Sequence, residues 1–182
     1  KTNIVLPKSL SAVMTLEEAI KTAFEYEEKI CNLYRQASNK TKDAVATRIF
    51  NALGDDEESH IAYLNDRLRQ WQQTGRITAE KLEACIPSRE VIDREIDKLK
   101  PRLARNDQKS EKQMFSKALH LEVETSRFYE RMVAEMTNEG REMFARFVEI
   151  ENGHIDMVQA ELDYISGTGY WFDFKEFDMS GY

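Results

Sequence analysis

Apolar residues recur along this chain at every third or fourth position, which is the spacing that places them on one face of an α-helix. Glycine and proline, which interrupt helices, number only seven and three. The apolar stripes predict four long helices, at about 15–38, 42–73, 108–136 and 144–165. Thr15 and Glu18 have the spacing of a capping box at the start of the first helix, and Gly75 is predicted to end the second. Asn138 and Gly140 are predicted to separate the third helix from the fourth.

Each of the four apolar stripes is interrupted by side chains that are charged or carry an imidazole. The first and third helices each contain one such Glu, and the second and fourth each contain a Glu-x-x-His pair. Residues three apart on a helix are neighbours, roughly 5 to 6 Å between Cβ atoms, so each pair can point a carboxylate and an imidazole at one place. The six residues are Glu27, Glu57, His60, Glu122, Glu151 and His154.

The two halves of the chain repeat one arrangement. The lone Glu precedes the Glu-x-x-His pair by thirty residues in the first half and by twenty-nine in the second. Each half is therefore predicted to be a helical hairpin, with a pseudo-twofold axis relating the two. The connector at about 74–107 contains a short helical pattern and is long enough to run back along a helix of ~37 Å. Two hairpins joined by one long crossover define an all-α, ferritin-like four-helix bundle over about 15–165.

The six residues make a ligand set for two divalent metal ions. A buried carboxylate without a partner is costly, and four facing one another add repulsion that two cations would cancel. Oxygen-rich ligation without thiolates favours two iron ions, with manganese as the alternative and Zn²⁺ as an opportunistic occupant. One Glu-x-x-His pair is weak evidence in so acidic a chain. Two copies on apolar faces, each preceded by an inward-facing Glu, are the basis of the prediction.

Several polar residues near the six are assigned other roles. Surface positions are expected for the adjacent carboxylates Glu25, Glu28, Glu58, Glu124 and Glu149. His120 is expected at the surface or in a helix contact, and Asp56 either orients a ligand histidine or is exposed. Tyr34 and Tyr129 each lie seven residues after a lone Glu. Their hydroxyls either reach a ligand carboxylate across the bundle, in a supporting catalytic role, or mark the edge of the core.

Composition narrows the function classes. With 182 residues, of which 41% are hydrophobic, the chain is expected to form a single domain over 1–182. A formal charge of -7 argues against nucleic acid as a partner. No apolar run approaches the ~18 residues of a membrane span, so no membrane partner is expected. The stretch Ile4-Val5-Leu6 lacks the pattern of a secretory signal, although a removed leader stays open because the sequence does not begin with Met.

Cysteine usage and the C-terminal aromatics complete the expectations. Only Cys31 and Cys85 are present, without a C-x-x-C pair, which favours a reducing compartment and a cytoplasmic location. Cys31 is expected to be a small packed residue of the first helix. The tail at 167–182 is rich in aromatic residues that should cover the bundle or a partner subunit, so a homodimer is predicted.

At these residues the sequence resembles the rubrerythrin group of the ferritin-like superfamily. The helices of that group carry a lone Glu, Glu-x-x-His, a lone Glu and Glu-x-x-His in this order, and the resemblance covers about 15–165. It implies that the six residues are metal ligands, with Glu57 and Glu151, or the two lone Glu residues, as bridges. Two features differ from the family. This sequence lacks a four-Cys rubredoxin module, and Thr125 stands where rubrerythrins carry an additional Glu, which makes the site equally similar to the ferroxidase centre of bacterioferritin.

The resemblance implies a di-iron enzyme that reduces peroxide or dioxygen. Because the rubredoxin module is missing from these residues, an external donor protein would have to supply the electrons. Two other functions stay open at this point. One is iron handling, in which ferroxidase activity feeds a stored or transferred mineral, and the other is a ferritin-like binding module with little catalysis.

Overall fold

The computed structural model describes residues 14–78, 82–83, 109–137 and 139–167. These residues form helices and no strands. The four helices are α1 (Leu16–Lys40), α2 (Ala44–Thr74), α3 (Lys109–Glu135) and α4 (Glu139–Ser166). The all-α four-helix bundle is therefore confirmed. The short helix predicted in the connector, Cys85 and the aromatic tail fall on residues 84–108 and 168–182, outside the described part.

The start of α1 and both ends of α2 carry residues that cap helices. At the start of α1, the Thr15 hydroxyl accepts from the Glu18 backbone N–H at 3.2 Å, and the Glu18 carboxylate accepts from the Thr15 N–H at 2.9 Å. This reciprocal pair is the predicted capping box, and it satisfies N–H groups that have no partner inside the helix. Asp43 caps α2 with its carboxylate, which accepts from the backbone N–H groups of Val45 and Ala46 at 2.8 and 3.0 Å. Gly75 ends α2 with a φ of 68°, in the left-handed region that favours glycine.

The predicted boundary between the third and fourth helices is wrong at Gly140. This glycine was expected to help break the chain, but it lies buried inside the first turn of α4. A Cβ atom at this position would stand 2.9 Å from Leu16 Cδ1 at the start of α1. Gly140 therefore allows α4 to approach α1 closely, and sequence spacing alone could not distinguish this packing role from a helix break.

The helices pair as two antiparallel hairpins, α1 with α2 and α3 with α4. The hairpins meet with α1 antiparallel to α3, because Tyr34 of α1 contacts Glu122 of α3 while the earlier Glu27 contacts the later Tyr129. Cys31 is buried in this packing, as predicted, and its Sγ lies 3.7 Å from the Gly54 carbonyl oxygen. None of the described helices combines the length and apolar character needed to cross a membrane.

Two apolar clusters fill the bundle, and a layer of buried polar residues lies between them. The first cluster includes Ile20, Ala23, Leu64, Met132, Phe144 and Phe147. The second includes Ile30, Phe50, Leu53, Phe115, Ala118 and Val158. In every helix the six predicted ligands fall between these clusters; in α1, for example, Glu27 lies between Ala23 and Ile30. Burial of each large apolar side chain contributes about 1.5–3 kcal/mol to the stability of the fold. The two clusters therefore stabilise the bundle on both sides of the polar layer.

Candidate metal centre

The structure brings all six predicted ligand residues together in the middle of the bundle. The four carboxylates and His60 are 0% exposed, and His154 is 1% exposed. Their donor atoms form two groups, and within each group all the atoms lie within 4.8 Å of one another. The groups are Glu27, Glu57, His60 and Glu151, and Glu57, Glu122 and His154. Glu57 is the residue common to both, which makes it the carboxylate best placed to bridge two ions.

The first group is centred on His60. Its Nδ1 atom lies 3.1 Å from Glu27 Oε2 and 3.1 Å from Glu57 Oε2. Glu151 Oε1 is 3.7 Å from the same nitrogen. Three helices, α1, α2 and α4, therefore direct their donor atoms at one point, as a metal position requires.

The second group is centred on His154, whose ring stacks on that of His60 with the centroids 5.5 Å apart. Its Nδ1 atom lies 3.0 Å from Glu57 Oε1 and 3.9 Å from Glu122 Oε1. Both imidazoles thus present the same nitrogen, Nδ1, to the carboxylates. The other nitrogen, Nε2, points out of the cluster in both.

Tyr34 and Tyr129 reach across the bundle to the lone glutamates. The Tyr34 hydroxyl donates a hydrogen bond to Glu122 Oε1, and the Tyr129 hydroxyl donates to Glu27 Oε1. Both tyrosines are fully buried. Of the two interpretations of these residues, the structure therefore favours contact with a candidate ligand over a position at the core edge. Their catalytic role stays a prediction.

Asp56 is buried beside the cluster rather than exposed. Its carboxylate oxygen Oδ2 lies 2.9 Å from His154 Nε2, which is hydrogen-bonding distance. The same oxygen is 4.0 Å from His60 Nε2. Asp56 belongs to α2 and His154 belongs to α4. Their contact therefore links the second helix of one hairpin to the second helix of the other.

The remaining predicted neighbours lie where they were expected. The adjacent carboxylates and His120 are exposed: Glu25, Glu28, Glu58, Glu124, Glu149 and His120. Several buried charged residues, including Arg67, had not been identified from the sequence. Arg67, seven residues after His60 and hence on the same helix face, donates to Thr78 Oγ1 at 2.6 Å and covers the ring of Tyr63. Thr78 follows the end of α2, so this contact fixes the chain after the helix.

Two of the four carboxylates, Glu57 and Glu151, have raised pKa values because they are buried beside other negative charges. Burial, and then the charge of Glu27, raise the pKa of Glu57 well above its ordinary value. Burial and the charges of Glu27 and Glu122 do the same to the pKa of Glu151. Burial also acts to raise the pKa of Glu27, but hydrogen bonding with Glu57 and the positive charge of His60 outweigh it and lower the pKa to about 2. Glu27 therefore holds a charge that Glu57 and Glu151 cannot hold beside it.

The pKa values of both imidazoles are raised as well, because the carboxylates around them outweigh the effect of burial. Burial acts to lower the pKa of His154, but the charge of Glu57 and hydrogen bonding with Asp56 raise it to about 10. His60 is likewise raised, because the charge of Glu27 outweighs the effect of burial on its pKa. Protons on these groups balance the carboxylates in the metal-free protein, and bound divalent ions would displace them, since metal ligation requires neutral imidazole and ionised carboxylate.

The donor set fits divalent metal ions. Three buried oxygens at the cluster have no hydrogen-bond partner among the described residues, namely Glu122 Oε2 and both carboxylate oxygens of Glu151, while His154 Nδ1 and Glu57 Oε1 face each other at 3.0 Å. Unpaired buried acceptors are rare because each costs about 1–3 kcal/mol. These atoms are oxygen and imidazole nitrogen donors, which iron and manganese accept. The donor atoms of the cluster would therefore be better satisfied with two bound cations than without them.

A four-helix bundle with a lone Glu and a Glu-x-x-His pair from each hairpin defines the ferritin-like carboxylate class, in which such residues hold two metal ions. Residues 18–162 match the sequence model of the family described as Rubrerythrin. The chain belongs to the rubrerythrin family, which confirms the resemblance seen in the sequence. Searches of the curated proteins and of the solved structures gave no match.

Proposed function

We propose that this protein is a di-iron oxidoreductase that reduces peroxide or dioxygen with electrons from an external donor protein. The observation that carries the proposal is the buried set of four carboxylates and two imidazoles, whose unpaired atoms converge on two adjacent positions. The six proposed ligands are Glu27, Glu57, His60, Glu122, Glu151 and His154. Manganese is the alternative metal, and zinc would be an opportunistic occupant without redox activity.

Two ferrous ions, when bound, supply the two electrons that reduce one peroxide to water with uptake of two protons. Residues of this chain would keep the two ions adjacent and exclude water from one side of the site. Glu57 contributes one oxygen to each group, which keeps the two positions adjacent. Phe147 packs its ring against His60 with the centroids 5.4 Å apart and contributes to an apolar wall that excludes water from one side. Exclusion of water strengthens every electrostatic contact inside the site.

Tyr34 and Tyr129 keep the two lone glutamates in place. Burial and the charge of Glu122 raise the pKa of Tyr34, and burial and the charge of Glu27 raise the pKa of Tyr129. Each phenol therefore stays protonated and goes on donating its hydrogen bond as the carboxylate adjusts. This holds one oxygen of each glutamate and leaves the other for a metal ion, which is the supporting role proposed for the tyrosines.

The electron donor is proposed to be a separate protein. These 182 residues contain two cysteines, too few for a four-thiolate iron centre of their own. A reducing, cytoplasmic setting would supply such donors. We further propose a homodimer, and we expect neither nucleic acid nor membrane as a partner.

Anaerobic loading with ferrous iron, followed by stoichiometric peroxide, tests the proposed function. We expect about two ferrous ions per chain to be bound and oxidised by one peroxide, as a dinuclear carboxylate site requires. A variant with Glu151→Gln should bind fewer ions, whereas Glu149→Gln, an exposed neighbour on the same helix, should behave as the unmodified protein. Uptake of many more irons per chain into a hollow shell would indicate iron storage instead. Bound metal that does not change oxidation state would indicate a binding module.

A further inference from the structure

We infer that Asp56 is a positioning residue for one of the two metal positions only, the position that contains His154. The inference rests on the proposed function, because it assumes that the six residues hold metal. It concerns the two imidazoles, which are equivalent by sequence but differ in what each outward-facing nitrogen contacts.

The contact of His154 is well defined. Its Nδ1 atom faces Glu57 and Glu122, and its Nε2 atom lies 2.9 Å from Asp56 Oδ2. Asp56 is only 2% exposed, so this bond is shielded from water. When Nε2–H donates to the carboxylate, the proton is fixed on Nε2 and the lone pair of Nδ1 is left for the metal. Asp56 thus determines both the tautomer and the ring orientation of His154.

His60 has no equivalent support among the described residues. Its Nε2 atom is buried without a hydrogen-bond partner there, and the Asp56 oxygen at 4.0 Å is too far away for a hydrogen bond. The residue that corresponds to Asp56 in the second Glu-x-x-His helix is Ile150, which is buried and has no acceptor atom in its side chain. The pseudo-twofold symmetry of the ligands is therefore broken immediately outside them.

This asymmetry leads to a selective effect of removing Asp56. Loss of a carboxylate that orients a ligand histidine typically weakens metal binding by about 10- to 100-fold. That loss should fall on the position built from Glu57, Glu122 and His154. The position built around Glu27 and His60 should keep its affinity, because its imidazole is oriented by other contacts, including the edge of the Phe147 ring.

A double-mutant cycle with Co²⁺ as the probe tests the inference. His60→Ala leaves His154 as the one imidazole of the Glu-x-x-His pairs, and His154→Ala leaves His60. Asp56→Ala is then combined with each, and Co²⁺ affinity is measured anaerobically from the visible absorption of the bound ion. We expect Asp56→Ala to weaken Co²⁺ binding about 10- to 100-fold in the His60→Ala background and less than about 3-fold in the His154→Ala background.

Two further variants separate positioning from general structural damage. Asp56→Asn keeps an oxygen that accepts from His154 Nε2, so it should restore part of the affinity that Asp56→Ala loses. Asp55→Ala, at the exposed neighbour that pairs with Arg35, should leave Co²⁺ binding unchanged in both backgrounds. Circular dichroism establishes that each variant is folded before it is titrated.

The outcomes are distinct. Equal weakening of both backgrounds, or no weakening of either, would overturn the role of Asp56 while leaving the metal site intact. Failure of the unmodified protein to bind about two Co²⁺ ions per chain would overturn the proposed function and the inference together, since a dinuclear site accepts two such ions.

Discussion

The two helical hairpins supply the same ligands but surround them differently. Each provides a lone Glu, a Glu-x-x-His pair and a tyrosine whose hydroxyl crosses to the other hairpin. The residue before the second Glu is Asp56 in α2 but Ile150 in α4, and both are buried. The residue three after the lone Glu is Ile30 in α1 but Thr125 in α3, and these too are buried.

The comparison shows that the donor residues and the residues around them have to meet different requirements. A divalent ion requires particular donor atoms at particular distances, so both hairpins carry the same pattern of three donor residues. The residues outside the donors need only fill space and satisfy buried polar groups, which an aliphatic or a polar side chain can do when its neighbours match. Chemical symmetry of the donors therefore does not make the two metal positions equivalent.

The largest effect is expected at the carboxylate that both groups share. Glu57→Gln removes a charged donor from each position, whereas Glu122→Gln removes one from the His154 position only. We expect bound iron to fall from about two ions per chain to below about one in Glu57→Gln, and to about one in Glu122→Gln, because each position depends on its own donors. Metal analysis after gel filtration measures both. Equal iron content in the two variants would contradict a shared role for Glu57.

The pH dependence of the metal-free protein should reveal the crowding of charges in both hairpins. His154 has a folded pKa of about 10, above its unfolded value of 6.5, so the stability that it contributes is fully present below 6.5 and is lost as pH rises toward 10. The raised pKa values of Glu57 and Glu151 act in the same direction above their unfolded value of 4.5. Glu27, with a folded pKa of about 2, acts oppositely, and its contribution is lost as pH falls from 4.5 to 2.

Thermal unfolding in the presence of a chelator tests this expectation. The melting temperature of the metal-free protein should fall between pH 6.5 and 10, the range set by His154. The metal-loaded protein should show a weaker decline, because bound cations keep the carboxylates ionised and the imidazoles neutral. A melting temperature that rises with pH in the metal-free protein would contradict the charge balance described for the cluster.

Removal of the two crossing hydroxyls should have similar and smaller effects. Tyr34→Phe removes the hydroxyl that donates to Glu122 Oε1, and Tyr129→Phe removes the one that donates to Glu27 Oε1. Each should lower the free energy of unfolding of the metal-free protein by about 1–3 kcal/mol, the cost of a buried acceptor that loses its partner. Urea denaturation measures the change. Tyr26→Phe, a half-buried tyrosine packed on Phe128, is the control and should change stability by less than about 0.5 kcal/mol.

The smallest expected effect concerns Gly54, which lies three residues before Glu57 where α4 has Val148. A Cβ atom at Gly54 would meet the guanidinium of Arg35 at 3.1 Å, and that group is the flexible end of a side chain. Gly54→Ala should gain about 1 kcal/mol of helix propensity and lose up to about 1 kcal/mol as Arg35 shifts from its surface ion pairs. Differential scanning calorimetry should find a net change near zero. A loss of several kcal/mol would mean that the hairpin is packed more tightly here than the contact with Arg35 implies.

Much of the fold and the donor set could be predicted because both follow from helical periodicity. A lone Glu or a Glu-x-x-His pair within an apolar stripe must face the bundle interior, so the positions of Glu27 and His60 follow from spacing alone. The crossing of Tyr34 to Glu122 was one of two possibilities, and only the antiparallel packing of α1 on α3 distinguishes them. Periodicity determines which face of a helix is buried, but it does not determine how the neighbouring helix is rotated against that face. Such contacts therefore cannot be predicted from the sequence.

Other features depended on contacts that no local pattern encodes. Asp56 had two equally supported positions, and its burial follows from where α4 places His154. Gly140 resembles a helix break in the sequence but serves a close approach to Leu16. Arg67 lies on the face of His60, yet its partner Thr78 comes after the helix has ended. In each case the deciding neighbour belongs to a different element, so the outcome is set by tertiary packing.

Mössbauer spectroscopy of the iron-loaded, peroxide-oxidised protein tests the central claim most directly. If the six buried residues hold two adjacent ions, the spectrum should contain ferric sites coupled to each other, with a diamagnetic ground state and about two irons per chain. Isolated high-spin ferric ions, or iron in a large mineral particle, would contradict the dinuclear site.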